Sequence, residues 1–198
     1  MKKLSLIFIL LFSFKISLLH AYSSDPEIFI KELVNDAISK LSDKDLNEEE
    51  KSSFIEKMAL ENVDINALGL YTLGELRKST NENNLERYKK TFEKYFLKSL
   101  TSRLTDYSSN KFEIIETEKK SSNYTIVKSK IVENGNKPEI KINWRVYTKN
   151  PDKPLIRDLI VEGLSLARTQ KEEFASILNS NNNDLNFLIN KLEEFIKN

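Results

Sequence analysis

Three groups of residues in this chain have the types and spacing to do chemistry. Gly163-Leu164-Ser165-Leu166-Ala167 sets a serine between an expected strand and an expected helix, the place of a nucleophile elbow, but the motif's second glycine is missing. Asp43-Lys44-Asp45-Leu46-Asn47 matches the opening acidic positions of a calcium loop. Glu48 then stands at the sixth position, where Gly makes the turn, and Phe54 at the twelfth, where a bidentate Glu belongs. Glu113, Glu116, Glu118, Asp158 and Glu162 fall on expected strands, and a carboxylate pair among them could serve glycoside cleavage without histidine. Each group also has an ordinary reading: a strand-to-helix turn, a polar loop ending in a helix cap, and the solvated face of a sheet.

The rest of the inventory narrows the chemistry. The 198 residues carry 31 Lys+Arg against 30 Asp+Glu, one His and no Cys. Lys2 and Lys3 precede an apolar run from Leu4 to Phe14, and Leu19-His20-Ala21 leads into polar sequence. This pattern predicts a signal peptide over 1–21 and a single exported domain over 22–198. Lys15 interrupts the run, which falls short of the roughly 20 apolar residues that span a bilayer. Removing 1–21 takes three Lys and the His, leaving 28 Lys+Arg against 30 Asp+Glu. A near-neutral chain has no electrostatic reason to take nucleic acid as partner. Without imidazole or thiol, zinc centres, Cys proteases and Ser-His-Asp hydrolases are excluded within one chain, and Ser165 would need a lysine base of depressed pKa. Without disulfides, stability has to come from packing.

The elements follow from periodicity. Asp25-Pro26 offers an N-cap and a first-turn proline before Phe29, Leu33, Val34, Ile38 and Leu41; Asn47 with Glu50 makes a capping box; Asp64 caps a short helix. Tyr88, Phe92, Phe96, Leu100, Leu104 and Tyr107 form the stripe of the longest helix. The period then changes to two over Phe112–Ile114, Tyr124–Ile131, Ile140–Tyr147 and Leu155–Val161, with Asn134-Gly135 as a hairpin signal and Asn150-Pro151-Asp152 as a turn. Thr169 with Glu172 reads as a capping box opening the next helix, and the tract Asn179–Asn183 precedes the last one. This is an α+β pattern: a four-stranded antiparallel meander with helices on either side in sequence, leaving one sheet face to be covered by them. Asp158 shares an alternation class with Ile156 and Ile160, so it is expected to point inward and to need a partner, for which Arg145 and Arg168 are candidates.

The order of blocks resembles the MlaC, or toluene-tolerance, family of periplasmic phospholipid-binding proteins. The matching pieces are Asp25-Pro26-Glu27-Ile28-Phe29-Ile30, Val63-Asp64 leading to Leu73-Gly74, Leu104-Thr105-Asp106-Tyr107, and above all Asp158-Leu159-Ile160-Val161-Glu162-Gly163-Leu164-Ser165-Leu166 running into Phe174. Leu76 stands where the family has Trp, and Leu100 where Tyr is common. The resemblance implies a carrier, not an enzyme, that holds phospholipid acyl chains in a hydrophobic cavity between helices and sheet. It further implies exchange of lipid with an outer-membrane lipoprotein-porin assembly and with an inner-membrane ABC transporter bearing a mammalian-cell-entry domain, which maintains outer-membrane lipid asymmetry. No cofactor or metal and no oligomer is implied. On that reading the residues expected to touch the tails are Phe29, Leu33, Leu73, Phe92, Phe96, Leu100, Trp144, Val146, Ile160 and Leu164, with Arg145, Asp158 and Arg168 as headgroup or structural polar residues. Periodicity alone does not separate pocket lining from plain core, since both use the same residue types. A ligand-free interaction module of the envelope and a histidine-free hydrolase stay open as alternatives.

Overall fold

A computed structural model of the chain describes residues 22–104, 111–132 and 139–198. The expected signal peptide, the Thr105-Asp106-Tyr107 end of the long stripe and the Asn134-Gly135 turn lie outside the described residues. Helices α1 (Pro26–Leu41), α2 (Glu48–Asn62), α3 (Ile65–Thr72), α4 (Leu76–Ser79) and α5 (Glu82–Leu104) precede strands β1 (Lys111–Ser121), β2 (Tyr124–Val132), β3 (Ile140–Tyr147), β4 (Leu155–Val161) and β5 (Leu164–Ser165); helices α6 (Leu166–Asn179) and α7 (Leu185–Lys197) follow. The caps at Asp25, Asn47 and Asp64 form as the residue types dictate, the second as a complete capping box with Glu50.

The sheet is antiparallel in the order β1-β2-β3-β4-β5, so the expected four-stranded meander gains a two-residue fifth strand. Glu162 and Gly163, both at positive φ, turn β4 back on itself to make it. Register fixes what each face carries. Val127, Trp144 and Leu159 stand opposite one another across β2, β3 and β4, as do Ser129, Ile142 and Val161; Ile126, Arg145 and Asp158, and Lys128, Asn143 and Ile160, point the other way. One extra residue, Arg157, interrupts the β3–β4 pairing, because Arg145 pairs with Asp158 while Val146 pairs with Ile156. This bulge corrects the simple alternation: Ile156 joins the apolar face, and Asp158 and Ile160 go to the polar one.

Two apolar clusters form the interior. One joins α1 and α2 to the sheet through Phe29, Ile30, Leu33, Val34, Val127, Val146 and Ile156. The other is a helical bundle in which Leu68, Leu73, Tyr88, Phe92, Phe174, Leu188 and Leu192 meet. The Tyr88 hydroxyl, fully buried, shares a 2.8 Å hydrogen bond with Thr72 Oγ1 and donates to the Gly69 carbonyl, and burial pushes its pKa up. Helix α6 starts earlier than Thr169 would have it. Ser165 is the N-cap, its Oγ accepting from the Arg168 N–H at 3.0 Å, and Thr169 lies inside the helix with its hydroxyl on the Ser165 carbonyl. Asp158, only 4% exposed, explains the early start: its carboxylate accepts from Ser165 Oγ at 2.7 Å and from the Ala167 N–H at 3.0 Å, a charge placed on the first turn of α6.

Two substitutions test this account. At Gly69 an added Cβ would lie 2.8 Å from the Phe92 ring, so Gly69→Ala should destabilise the bundle by about 1–3 kcal/mol, read as a lower thermal midpoint. Asp158→Ala leaves the Ala167 N–H without its acceptor and should cost about 1.5–3 kcal/mol by the same measurement, whereas removing Arg145, 3.7 Å away, should cost far less.

Candidate functional site

The apolar candidates divide between the two clusters. Phe29, Leu33 and Val146 are buried together where α1 meets the sheet, and Leu100 of α5 and Trp144 pack against them. The Trp144 indole N–H donates to Ser129 Oγ at 2.8 Å, and its ring meets Phe112 edge-on at 6.4 Å. Leu164 pairs with Val161 and therefore belongs to this same face, but at the β4–β5 hairpin it is 68% exposed. Leu73, Phe92 and Phe96 lie instead in the helical bundle, Phe92 stacking on Phe96 and meeting Phe174 edge-on.

Ile160 is on the opposite side of the sheet, with two of the polar candidates. There α3 and the start of α6 stand off the polar face and leave an open cavity of about 840 Å³. Ile126, Ile160, Leu68, Ala67 and Ala167 supply its apolar lining; Arg145, Lys120, Lys128 and Arg157 supply cations, against the carboxylates of Glu118 and Asp158. Most of these charges are already engaged. Lys128 bonds Glu116 at 2.8 Å, which raises its pKa with help from Glu118, and Lys120 bonds Glu118. Arg157 reaches Asp64 through Nε at 2.8 Å, donates to the Tyr124 hydroxyl at 2.9 Å and lies 3.4 Å above the centre of the Tyr147 ring. Burial opposes its charge, and the bonds to Tyr124 and Asp64 outweigh that and raise its pKa. Arg145 is the loosest of the four, half exposed and 3.7 Å from Asp158. Arg168 is apart from both regions, paired on the surface with Glu172 at 2.9 Å.

Chemically, this arrangement offers binding surfaces. Ser165 Oγ is occupied by Asp158 and the Arg168 N–H, the geometry of a helix cap. Among the described residues, no three His, Cys, Asp or Glu side chains come together as a metal site, and no helix is long and apolar enough to cross a membrane. A smaller groove of about 410 Å³ runs between α1 and β1, lined by Glu27, Lys31, Asn35, Phe112, Glu113 and Ile114. Neither this groove nor the Arg157 cluster leaves a mark in the residue pattern. Phe112 and Ile114 were legible as strand residues, but which helix would lie beside them was not.

Seven chains of solved structures match this fold. One is a phospholipid-binding protein from Ralstonia solanacearum, solved in complex with a phospholipid; it is 17% identical, superposes with a TM-score of 0.70, and the match covers 85% of this chain and 94% of that one. Comparison with curated proteins gives no match. The family model for the MlaC protein matches residues 31–194, so the chain belongs to the MlaC family.

Proposed function

We propose that this protein is an exported phospholipid carrier and that its acyl-chain site is the apolar layer between α1 and the sheet. The observation that carries the reading is the convergence of Phe29, Leu33, Leu100, Trp144 and Val146 on that layer. Family membership and the likeness to a protein that was solved with a phospholipid support it. A diacyl lipid carries on the order of thirty methylenes, and at about 0.8 kcal/mol each their exposure to water costs about 24 kcal/mol. A chain that covers them removes most of that cost, with no catalysis, metal or cofactor. On this reading residues 1–21 are cleaved on export and 22–198 work as a monomer in the periplasm. There they shuttle lipid between an outer-membrane lipoprotein-porin assembly and an inner-membrane ABC transporter with a mammalian-cell-entry domain, and so maintain outer-membrane lipid asymmetry.

The volume of the polar-face cavity favours a second placement, since about 840 Å³ lies within the roughly 300–1,000 Å³ of small-ligand sites. Tails would then lie on Ile160 and Ile126, with phosphate at Arg145. Trp144, the single tryptophan, separates the two placements because it belongs to the apolar face. Phospholipid with brominated chains should quench most of its emission if the tails lie in the α1 layer. Binding with little quenching would move them to the other side of the sheet. Protein purified from cells and extracted with organic solvent should release stoichiometric phospholipid by mass spectrometry; none would leave the ligand-free module standing.

A further inference from the structure

The groove between α1 and β1 borders the layer that the carrier reading assigns to lipid. Glu27, Lys31 and Asn35 recur every fourth residue, so one stripe of α1 forms one wall, and Phe112 and Ile114 of β1 form the other. Both of these residues pack against the buried cluster of Phe29 and Val146. The β1 wall of the groove is therefore also the edge of the apolar layer. β1 is the outer strand of the sheet among the described residues, and its pairing with β2 is irregular between Ile114 and Glu116, which leaves Ile115 exposed. Among the described residues, the side-chain hydrogen bond that crosses this seam is Thr117 Oγ1 donating to Glu27 Oε2 at 2.7 Å, an exposed bond for which water competes. The charges are unevenly engaged. Glu27 is held by Thr117, and Glu113 by Lys111 at 2.6 Å and Lys130 at 3.5 Å, while Lys31 has no ion-pair partner among the described residues.

We propose that the α1–β1 seam is the doorway by which an acyl chain enters the apolar layer, and that Lys31 holds the lipid's phosphate at its mouth. This rests on the carrier reading and adds to it an entrance and a headgroup contact. The seam is suited to the task because α1 is joined to the sheet by apolar contact, which an acyl chain can replace as it enters. A cationic ammonium beside an apolar slot matches the junction of a phospholipid, where phosphate adjoins the chains.

The chain has no cysteine, so Glu27→Cys with Thr117→Cys introduces the only two thiols, to be joined by a reducible bis-methanethiosulfonate reagent. Uptake from vesicles of phosphatidylglycerol and phosphatidylethanolamine is then read by mass spectrometry of the re-isolated protein. The linked form should take up no lipid, and uptake should return on reduction. Equal uptake by linked and reduced forms overturns the doorway while leaving the carrier reading intact; absence of uptake by the native chain overturns both. Lys31→Gln is the second variant: its uptake of phosphatidylglycerol should fall by about fivefold, the factor for one basic side chain at an anionic lipid surface. Undiminished uptake would remove Lys31 from the site.

Discussion

Side chains on β2, β3 and β4 alternate with period two, so whatever one face of the sheet gives to an apolar layer, the other must give to solvent. The rest of the molecule is arranged around that division. Val127, Val146 and Ile156 go to α1, and Lys128, Asn143 and Arg145 go to the open side. The bulge at Arg157 keeps both assignments through β4, since without it Ile156 would share a face with Asp158. Arg157 is itself fixed by Asp64, Tyr124 and Tyr147, so the residue that breaks the ladder also ties β4 to the start of α3 and to the ends of β2 and β3.

The two apolar clusters differ in what holds them. The bundle has directional bonds between its helices: Arg87 of α5 reaches Asn186, Asn190 and Glu193 of α7, Tyr95 donates to Gln170 of α6, and Tyr88 is bonded to Thr72 of α3. The α1 layer relies on apolar contact, with Phe29 and Leu33 against Val127 and Val146. Burial of such side chains contributes about 1.5–3 kcal/mol each, but the contribution is non-directional, and another apolar surface can supply it. Parting α1 from the sheet therefore breaks few specific bonds, whereas parting α5 from α7 breaks several. A carrier built this way would open on the α1 side and keep the bundle as its rigid frame.

Much of this was legible in the sequence, for reasons that can be named. Asp25-Pro26, Asn47 with Glu50, and Asp64 act through bonds to residues two or three places away, so the caps could be read locally. The cap of α6 could not. Thr169 and Glu172 have the spacing of a capping box, but the buried carboxylate of Asp158, reaching across from β4, starts the helix at Leu166. The bulge at Arg157 leaves no mark in the hydrophobic pattern, so Trp144 and Ile160 read as one inward surface although they stand on opposite faces. Leu73, Phe92 and Phe96 have the right residue types for a tail site, and only the packing of α5 on α6 and α7 assigns them to the bundle. Residue type foretold that these side chains would be buried or half-buried; it carried no information about which partner would cover them.

On the carrier reading, the close packing of the α1 layer on itself has an energetic reason. An empty apolar hollow costs about 24 cal/mol per Å³, so one of about 400 Å³, held open and dry, would cost about 10 kcal/mol. That is of the order of the whole stability of a domain, about 5–15 kcal/mol. An unloaded carrier cannot keep such a space; it has to collapse onto its own side chains or line the space with groups that water can wet. Here Phe29 and Leu33 pack on the apolar face, and the 840 Å³ cavity lies on the side of Arg145, Lys128 and Asp158. An acyl chain entering such a layer would exchange one apolar surface for another at little net cost. On the carrier reading, the path between α1 and β1 would then limit its entry more than the affinity of the layer behind it.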